Sequence, residues 1–260
     1  MNNVSLVFIP GGPGLSSISF KPIIDLNEKY RIFLFDPPGT GKRKALLKKC
    51  NFDSLKAHLD KFVKEEIPGK YYLLGHSFGG ILGILSDSFV NPNCLGMILL
   101  ATPLDKKSME IVNKNYLAMA NAKTIKLEKE FESDPSNIKL KKWFKSYGEL
   151  YFSKAKVHAG NKMLSKDKMS ARCFLEAYPD MKLIGPKIKG RLKTKKDLLY
   201  LMGDKDFLLG FSQQSNYEIK YNLRVEMIRS AGHFLHFENP RSTWKTIEKF
   251  IEGDFYESNT

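Results

Sequence analysis

A serine lies in the pentapeptide GHSFG (75–79), whose residue types can expose a hydroxyl for nucleophilic attack. The apolar run before it, ending at Leu74, predicts a strand, and the run ILGILSDSFV after it predicts a helix. A serine at such a tight turn takes a strained backbone conformation that only small neighbours, here Gly75 and Gly79, permit. The turn also places the hydroxyl at a helix N-terminus, where the helix dipole favours developing negative charge. The pattern therefore predicts Ser77 as a nucleophile.

A serine hydroxyl needs a base to take its proton, and the base needs an acid to hold its ring in place. His233 follows the last predicted strand, in the stretch AGHFLHFENP (231–240). Two carboxylates, Asp204 and Asp206, follow the strand that ends at Gly203, and both are candidates on position alone. These residue types predict acyl transfer through a covalent intermediate.

Other chemistries fit the sequence less well. The run PPGTGK (37–42) imitates a phosphate-binding loop, but that pattern requires glycine where Asp36 stands and Ser or Thr where Arg43 stands, so no nucleotide cofactor is expected. The five histidines show no HExxH or Cys/His spacing, so no catalytic metal is expected. We predict that His76 packs beneath the serine turn and that His236 is structural.

Short apolar runs alternate with helical patterns, which is typical of a mostly parallel sheet covered by helices on both faces. Six strands are predicted, at 4–9, 31–35, 70–75, 94–101, 197–203 and 223–229. Helices are predicted near 17–29, 52–66, 79–91, 211–219 and 241–252. The carboxyl ends of parallel strands meet at one edge of the sheet, and ligands bind there in open α/β sheets.

The alternation breaks once, between residues 104 and 196, where the pattern is helical and rich in Lys and aromatic residues. This predicts an α/β core from 1–103 and 197–260, and a helical cap from 104–196 over the strand ends, with 187–196 as the linker back to the sheet. The cap holds 23 Lys and Arg against 10 Asp and Glu, a net charge of +13, and the whole chain has +14. Any partner that this charge attracts would therefore meet the cap.

The composition of the 260 residues fits one globular domain with an insertion. The three cysteines are scattered and odd in number, which predicts free thiols in a reducing compartment. No signal peptide or run of 18 apolar residues is apparent, so we expect a cytoplasmic protein without a transmembrane segment.

Four motifs in the right order resemble those of the α/β-hydrolase superfamily, across nearly the whole chain. IPGGPG (9–14) resembles the HGGPG loop of prolyl iminopeptidase-like hydrolases, and LLGHSFGG (73–80) and GHFLHFENP (232–240) look like the serine turn and histidine loop of carboxylesterase-like members with helical caps. LFDPPGTGK (34–42) is similar to the D-x-x-G-x-G loop of the family. The resemblance implies a serine hydrolase of this fold.

The resemblance also implies roles for individual residues. The family pattern G-x-x-D favours Asp206 over Asp204 as the acid. Family oxyanion holes use backbone N–H groups from the residue after the nucleophile and from the glycine-rich loop, which correspond here to Phe78 and Gly12. The candidate substrate contacts are Leu15, Trp143, Phe144 and Tyr151.

The sequence departs from its relatives at three points. Pro10 replaces the usual histidine of the oxyanion loop, and GHSFGG replaces the GGSWG typical of prolyl iminopeptidases. The first strand begins near residue 4, whereas relatives carry an additional hairpin of strands before it, so a sheet without those N-terminal strands is expected.

By analogy with the family, the expected substrate is a carboxylic ester or thioester. The basic cap suits an acyl chain presented by an acidic carrier, as in the similar esterases that act on pimeloyl-acyl-carrier-protein methyl ester, although a Lys-rich solvated surface explains the charge equally well. A prolyl-type aminopeptidase is an alternative, and it needs an acidic amine-binding site. A non-catalytic binding protein on the same fold is a second alternative. Nucleic-acid binding is not expected, because no recognised fold for it is apparent.

Overall fold

A computed structural model describes residues 4–43, 48–180, 185–193, 196–210, 213–221 and 223–253, and its centre is a six-stranded sheet. Every pairing between neighbouring strands is parallel, in the order β2-β1-β3-β4-β5-β6. The strands are β1 Ser5–Ile9, β2 Arg31–Leu34, β3 Tyr71–His76, β4 Cys94–Leu100, β5 Asp197–Gly203 and β6 Arg224–Ile228. Strands β1 and β3 are buried at every position, because helices cover both faces of the sheet.

The two faces of the sheet pack against different helices, since alternate side chains of a strand point to opposite sides. The core helices are α1 Lys21–Ile24, α2 Phe52–Glu66, α3 Phe78–Leu85, α4 Asp87–Val90, α12 Gln213–Tyr221, α13 Leu235–Glu238 and α14 Pro240–Glu252; the 3₁₀ turn Ser17–Phe20 precedes α1. Leu6 and Phe8 of β1 belong to the core cluster that includes α1 and α14, whereas Val7 and Ile9 belong to the cluster that includes α2, α3 and α12.

Between β4 and β5 the chain forms seven further α-helices in the described residues. They are α5 Lys106–Met119, α6 Ala122–Ser133, α7 Asn137–Ser146, α8 Gly148–Tyr151, α9 Val157–Lys166, α10 Ala171–Ala177 and α11 Gly185–Leu192, with a 3₁₀ turn at Lys154–Lys156. Side-chain caps start several of them, including capping boxes at Asp105 and Asn121. Helix α11 lies in the stretch predicted as a linker, and its Ile188 and Leu192 are buried in the core cluster with α2 and α3. We refer to residues 104–196, which hold these helices, as the cap.

The structure and the sequence-based expectation differ mainly at helix ends. The predicted helix 79–91 is two helices, α3 and α4, because Ser86 is extended (φ −68°, ψ 154°) and caps the second with its side chain. The predicted helix 17–29 is only the short 3₁₀ turn and α1. Residues 211 and 212 of another predicted helix lie outside the described residues. Among the residues described, every helix is too short or too polar to span a bilayer.

Candidate active site

Ser77 lies at a sharp turn between β3 and α3, with a backbone conformation (φ 50°, ψ −118°) that is rare for a residue with a side chain. The surrounding glycines allow it. A Cβ on Gly79 would lie 2.3 Å from the Ile9 carbonyl oxygen, and one on Gly75 would lie 2.5 Å from Gly80 Cα. The turn that holds Ser77 therefore packs directly against the end of β1. Phe78 is the first residue of α3, so its N–H has no acceptor within the helix.

His233 is held by a buried carboxylate. Its Nδ1 donates to Oδ2 of Asp206 over 2.9 Å, and both side chains are buried. The other oxygen of Asp206 accepts the backbone N–H groups of Leu208 and Leu209, each at 3.0 Å. Because a carboxylate only accepts, Nδ1 carries the ring hydrogen and the lone pair of Nε2 is left available.

Asp204, the other candidate for the acid, contacts different residues. Its Oδ1 accepts the Ala231 N–H at 3.2 Å, and it also lies 3.6 Å from the Lys205 ammonium. It ties the two loops after β5 and β6 together. The carboxylate that contacts His233 is Asp206.

Ser77, His233 and Gly12 line one cavity of about 40 Å³. Its other walls are almost entirely apolar and come from both the core loops and the helices between β4 and β5. They are Pro103, Met109, Val112, Tyr116, Trp143, Phe144, Phe174, Tyr178, Leu208 and Leu209. The cavity lies at the carboxyl ends of the strands, where the sequence pattern predicts a ligand site.

Two of the four candidate substrate contacts, Trp143 and Phe144, line this cavity, but Leu15 and Tyr151 are not among its lining residues. Leu15 is buried in the core cluster instead. Tyr151 accepts the His233 N–H with its carbonyl at 2.8 Å, and its hydroxyl lies 2.5 Å from that of Tyr116. Tyr151 therefore supports the histidine loop from behind rather than facing the cavity.

The glycine-rich loop after β1 is shaped by positive φ angles and by contact with the cap. Gly12 has φ +117° and Gly14 has φ +84°. A Cβ on Gly14 would lie 2.4 Å from the Ser170 carbonyl oxygen, and the Gly14 carbonyl accepts the Ser170 N–H at 2.8 Å. The loop that holds the candidate oxyanion donor Gly12 is thus fixed by the segment between α9 and α10.

A buried carboxylate adds to that contact. Asp167 accepts the Ser16 N–H at 3.1 Å, and Lys168 accepts the Gly41 N–H at 3.1 Å through its carbonyl. Burial raises the pKa of Asp167 to about 7. We call residues 167–170, with these contacts to the loops after β1 and β2, the latch.

A second buried carboxylate, Glu238, joins the histidine loop to the cap. Its two oxygens accept the N–H groups of Gly232 at 2.9 Å and Ser153 at 2.8 Å. Burial raises the pKa of Glu238. No sequence pattern indicates this role, because Ser153 lies 85 positions away and only the fold brings the two together.

The two remaining histidines near the site are structural, as predicted. His76 Nε2 donates to the His233 carbonyl at 3.0 Å, and His236 Nε2 lies 3.0 Å from the Ser19 hydroxyl. Burial lowers the pKa of His76 well below its ordinary value and lowers that of His236 to about 3. Both rings are therefore neutral at physiological pH, and His76 fixes the backbone of the histidine that faces the cavity.

The loop after β2 is also structural. Asp36 accepts the N–H groups of Ser17 at 2.8 Å and Lys42 at 3.0 Å, and a Cβ on Gly41 would overlap its carboxylate. The glycines that imitate a phosphate-binding loop thus wrap around a carboxylate of the chain itself. The three cysteines are free and buried.

Sequence reasoning missed the side chains that complete the cavity wall, above all Tyr116, Phe174 and Tyr178. Each lies on an amphipathic cap helix or at its end, where an aromatic residue is as readily part of the local core. Only the packing of α5 against α7 and α10 decides whether such a residue faces the cavity or the local core.

Comparisons with known proteins agree with the observed fold. A family model described as the alpha/beta hydrolase fold matches residues 4–120. The chain is similar to the curated "Putative esterase/lipase 2" of Mycoplasma pneumoniae, with 22% identity over 251 residues that cover 93% of this chain and 87% of the relative. It is similar to the structure of a thermophilic esterase from Thermogutta terrifontis, with TM-score 0.74 and 14% identity over 96% of this chain and 90% of that one. It is also similar to a proline iminopeptidase-related protein from Thermus thermophilus, with TM-score 0.72 and 18% identity over 96% and 90% of the two chains.

The parallel sheet, the strained serine turn after β3 and these likenesses define the class of protein: the chain has the α/β-hydrolase fold. The fold expected from the sequence is confirmed, and the sheet is parallel at every described pairing rather than mostly so.

Proposed function

We propose that the chain is a serine hydrolase that cleaves a carboxylic ester or thioester through an acyl-enzyme, with Ser77, His233 and Asp206 as its catalytic residues. One observation carries the proposal: Ser77 and His233 line the same cavity, and a buried carboxylate holds the histidine with Nε2 free to act as a base. The esterase-like relatives support the choice of an ester.

In the proposed first half-reaction, Ser77 Oγ attacks the carbonyl carbon while His233 Nε2 takes the hydroxyl proton. The Asp206 carboxylate stabilises the imidazolium that forms. The N–H groups of Gly12 and Phe78 donate to the oxyanion, aided by the N-terminal end of the α3 dipole. His233 then gives its proton to the leaving alcohol or thiol as the tetrahedral intermediate collapses.

In the second half-reaction, water attacks the acyl-enzyme with His233 again as base, and the acid product and free Ser77 result. The cavity beside Ser77 is small and its walls are largely apolar, which favours a short, uncharged acyl group. A serine nucleophile argues against the reactions of family members that use aspartate at this position.

The direct test is labelling by a fluorophosphonate, which reacts with activated serines, followed by peptide mass spectrometry. We expect one labelled site, at Ser77, and hydrolysis of p-nitrophenyl acetate or butyrate that is lost in Ser77→Ala. Ser242→Ala, on the exposed start of α14, is the matched control and should keep both activities. Labelling or hydrolysis that persists in a folded Ser77→Ala protein would rule out this nucleophile.

Acyl thioesters and a prolyl arylamide, assayed beside the esters, separate the proposed activity from its alternatives. Preference for the arylamide would favour the aminopeptidase hypothesis instead. No labelling and no turnover of any substrate would favour a binding protein on the same fold.

We also propose that an acidic carrier, such as an acyl carrier protein, presents the acyl group at the cap. Residues 137–166 hold eight lysines, on α7, the 3₁₀ turn Lys154–Lys156 and α9, against one acidic residue, Glu149 on α8. We call these lysines the basic face. Most of them are exposed, so their field reaches an approaching partner. This part of the proposal predicts that kcat/KM for a carrier-linked ester depends on ionic strength. The value for a small neutral ester should not.

A further inference from the structure

A second and larger cavity, of about 600 Å³, lies on the outer side of the wall that closes the candidate active site. It is formed by α5, α6, α7 and α10, and we call it the cap groove. Four of its lining side chains also line the active-site cavity: Tyr116, Trp143, Phe174 and Tyr178. The two cavities are therefore separated by a single layer of aromatic rings.

Aromatic faces dominate the inner wall of the cap groove. Phe131 and Tyr116 both stack near-parallel to Trp143, at centroid distances of 6.4 and 6.0 Å, and Tyr178 stacks on Phe174 at 5.2 Å. The rim is apolar as well, and the side chain of Leu117 is 77% exposed there. A surface of this kind binds organic groups rather than hydrated inorganic ions, since ring faces offer no ligand atoms but attract organic cations.

Two carboxylates of α6, Glu128 and Glu132, line the same cap groove. They are four positions apart and so lie on one face of the helix. In the part of the chain that the structure describes, neither forms an ion pair, although the cap has an excess of 13 positive charges. Their neighbour Glu130, by contrast, pairs with Lys126 at 3.9 Å.

The electrostatic influence of these carboxylates reaches the aromatic wall. Burial, and then the charge of Glu132, raise the pKa of Glu128, and no cation among the described residues offsets them. Burial and then the charge of Glu128 raise the pKa of Tyr178. The Glu128 carboxylate is thus close enough to influence Tyr178 and is repelled by Glu132, and a bound cation would relieve that repulsion.

An unpartnered donor in the wall is an independent sign of a ligand. Trp143 is only 9% exposed, and its indole N–H has no acceptor among the described residues. A buried donor without a partner costs free energy, so native proteins rarely keep one without a purpose. An oxygen substituent on the apolar body of a ligand would satisfy it, whereas an ammonium group cannot accept a hydrogen bond.

We propose that the cap groove binds an organic cation, an ammonium group on an apolar body, between the Glu128 and Glu132 carboxylates and the aromatic faces of Tyr116, Trp143 and Tyr178. The apolar body lies along the rim at Leu117. The site is distinct from the proposed hydrolase site and does not depend on it, but an occupant lies one side-chain layer from the cavity of Ser77.

Tryptophan fluorescence tests this directly, because the chain has two tryptophans and Trp244→Phe leaves Trp143 as the sole indole. The probe is benzyltrimethylammonium, and the comparison is neopentylbenzene, its neutral isostere of the same shape. We expect the cation to bind about tenfold more tightly than the isostere, and the difference to shrink with added salt. Calorimetry on the wild-type chain gives the same comparison if Trp244→Phe does not fold.

Carboxylate variants identify the source of the preference. Glu128→Gln/Glu132→Gln should bring the two affinities to within about twofold, whereas Glu130→Gln, on the same helix but outside the cap groove, should leave the tenfold difference intact. Equal affinities in the wild type, or a preference that survives the double substitution, would overturn the proposal. Repeating the titration in Ser77→Ala separates this outcome from any failure of the proposed hydrolase activity, because binding should be unchanged there.

Discussion

Among the described residues, the Asp206 carboxylate accepts three hydrogen bonds, and they hold two different parts of the proposed site. Its Oδ2 sets the tautomer of His233, and its Oδ1 holds the backbone of Leu208 and Leu209, which line the cavity. One carboxylate therefore orients the base and shapes the wall beside it. Asp204, two positions earlier, only joins two loops.

Asp206→Asn should lower kcat for p-nitrophenyl butyrate by about 10³–10⁴-fold, the range seen when other serine triads lose this carboxylate. The asparagine amide would donate to Nδ1 and so stabilise the wrong tautomer, with the hydrogen on Nε2. Steady-state kinetics measure the loss, and circular dichroism checks that the variant folds.

The matched control is Asp204→Asn, which should change kcat by less than about threefold, because this carboxylate does not touch the imidazole. A larger loss in Asp204→Asn than in Asp206→Asn would mean that the orienting role is assigned to the wrong residue.

At the scale of elements, the latch ties the cap to two core loops through a carboxylate that titrates in an unusual range. The folded-state pKa of Asp167 is about 7, against an ordinary value of 3.8, and burial is the main cause. Lys141 and the hydrogen bonds from Ser16 oppose that shift, and the charge of Asp36 adds to it.

The folded state thus binds this proton more tightly than the unfolded chain. The stability that Asp167 contributes is fully present below about pH 4 and is lost as the pH rises to about 7. The free energy of unfolding of the wild type, relative to that of Asp167→Asn, should fall over this interval by up to about 1.4 kcal/mol per pH unit. Urea unfolding at several pH values measures it.

Asp134→Asn serves as the control, since this cap carboxylate is 80% exposed and pairs only with Lys139 among the described residues. Its stability curve should run parallel to that of the wild type. Parallel curves for Asp167→Asn as well would mean that the pKa of Asp167 is the same in the folded and unfolded protein, and would contradict the prediction.

The elements show why some features could be predicted from sequence and others could not. All six strands lie within about one residue of the predicted ends, because a strand buried on both faces is a continuous apolar run bounded by turn residues. Ser77 was visible because its turn needs glycines at fixed positions. The split at Ser86 and the packing of α11 on the core depend on tertiary contacts, which a local pattern does not contain.

On the scale of the whole molecule, the cap is joined to the core on both sides of the cavity. The latch holds the glycine-rich loop, while Glu238 and the Tyr151 carbonyl hold the histidine loop. Residues that shape the site therefore depend for their positions on the inserted helices between β4 and β5. Side chains of α5, α7 and α10 also form part of the cavity wall itself.

The uneven charge of the molecule leads to a prediction about partners. If the basic face docks an acidic acyl carrier, kcat/KM for a carrier-linked ester should fall by about tenfold from about 50 to 500 mM salt, because added ions screen the attraction. The value for p-nitrophenyl butyrate should stay constant, since a small neutral ester feels no such field.

Lys142→Glu/Lys162→Glu should produce the same loss at low salt, whereas Lys245→Glu/Lys249→Glu on the core helix α14 should not. If kcat/KM for the carrier-linked ester changed neither with salt nor in Lys142→Glu/Lys162→Glu, the lysines would be a solvated surface only.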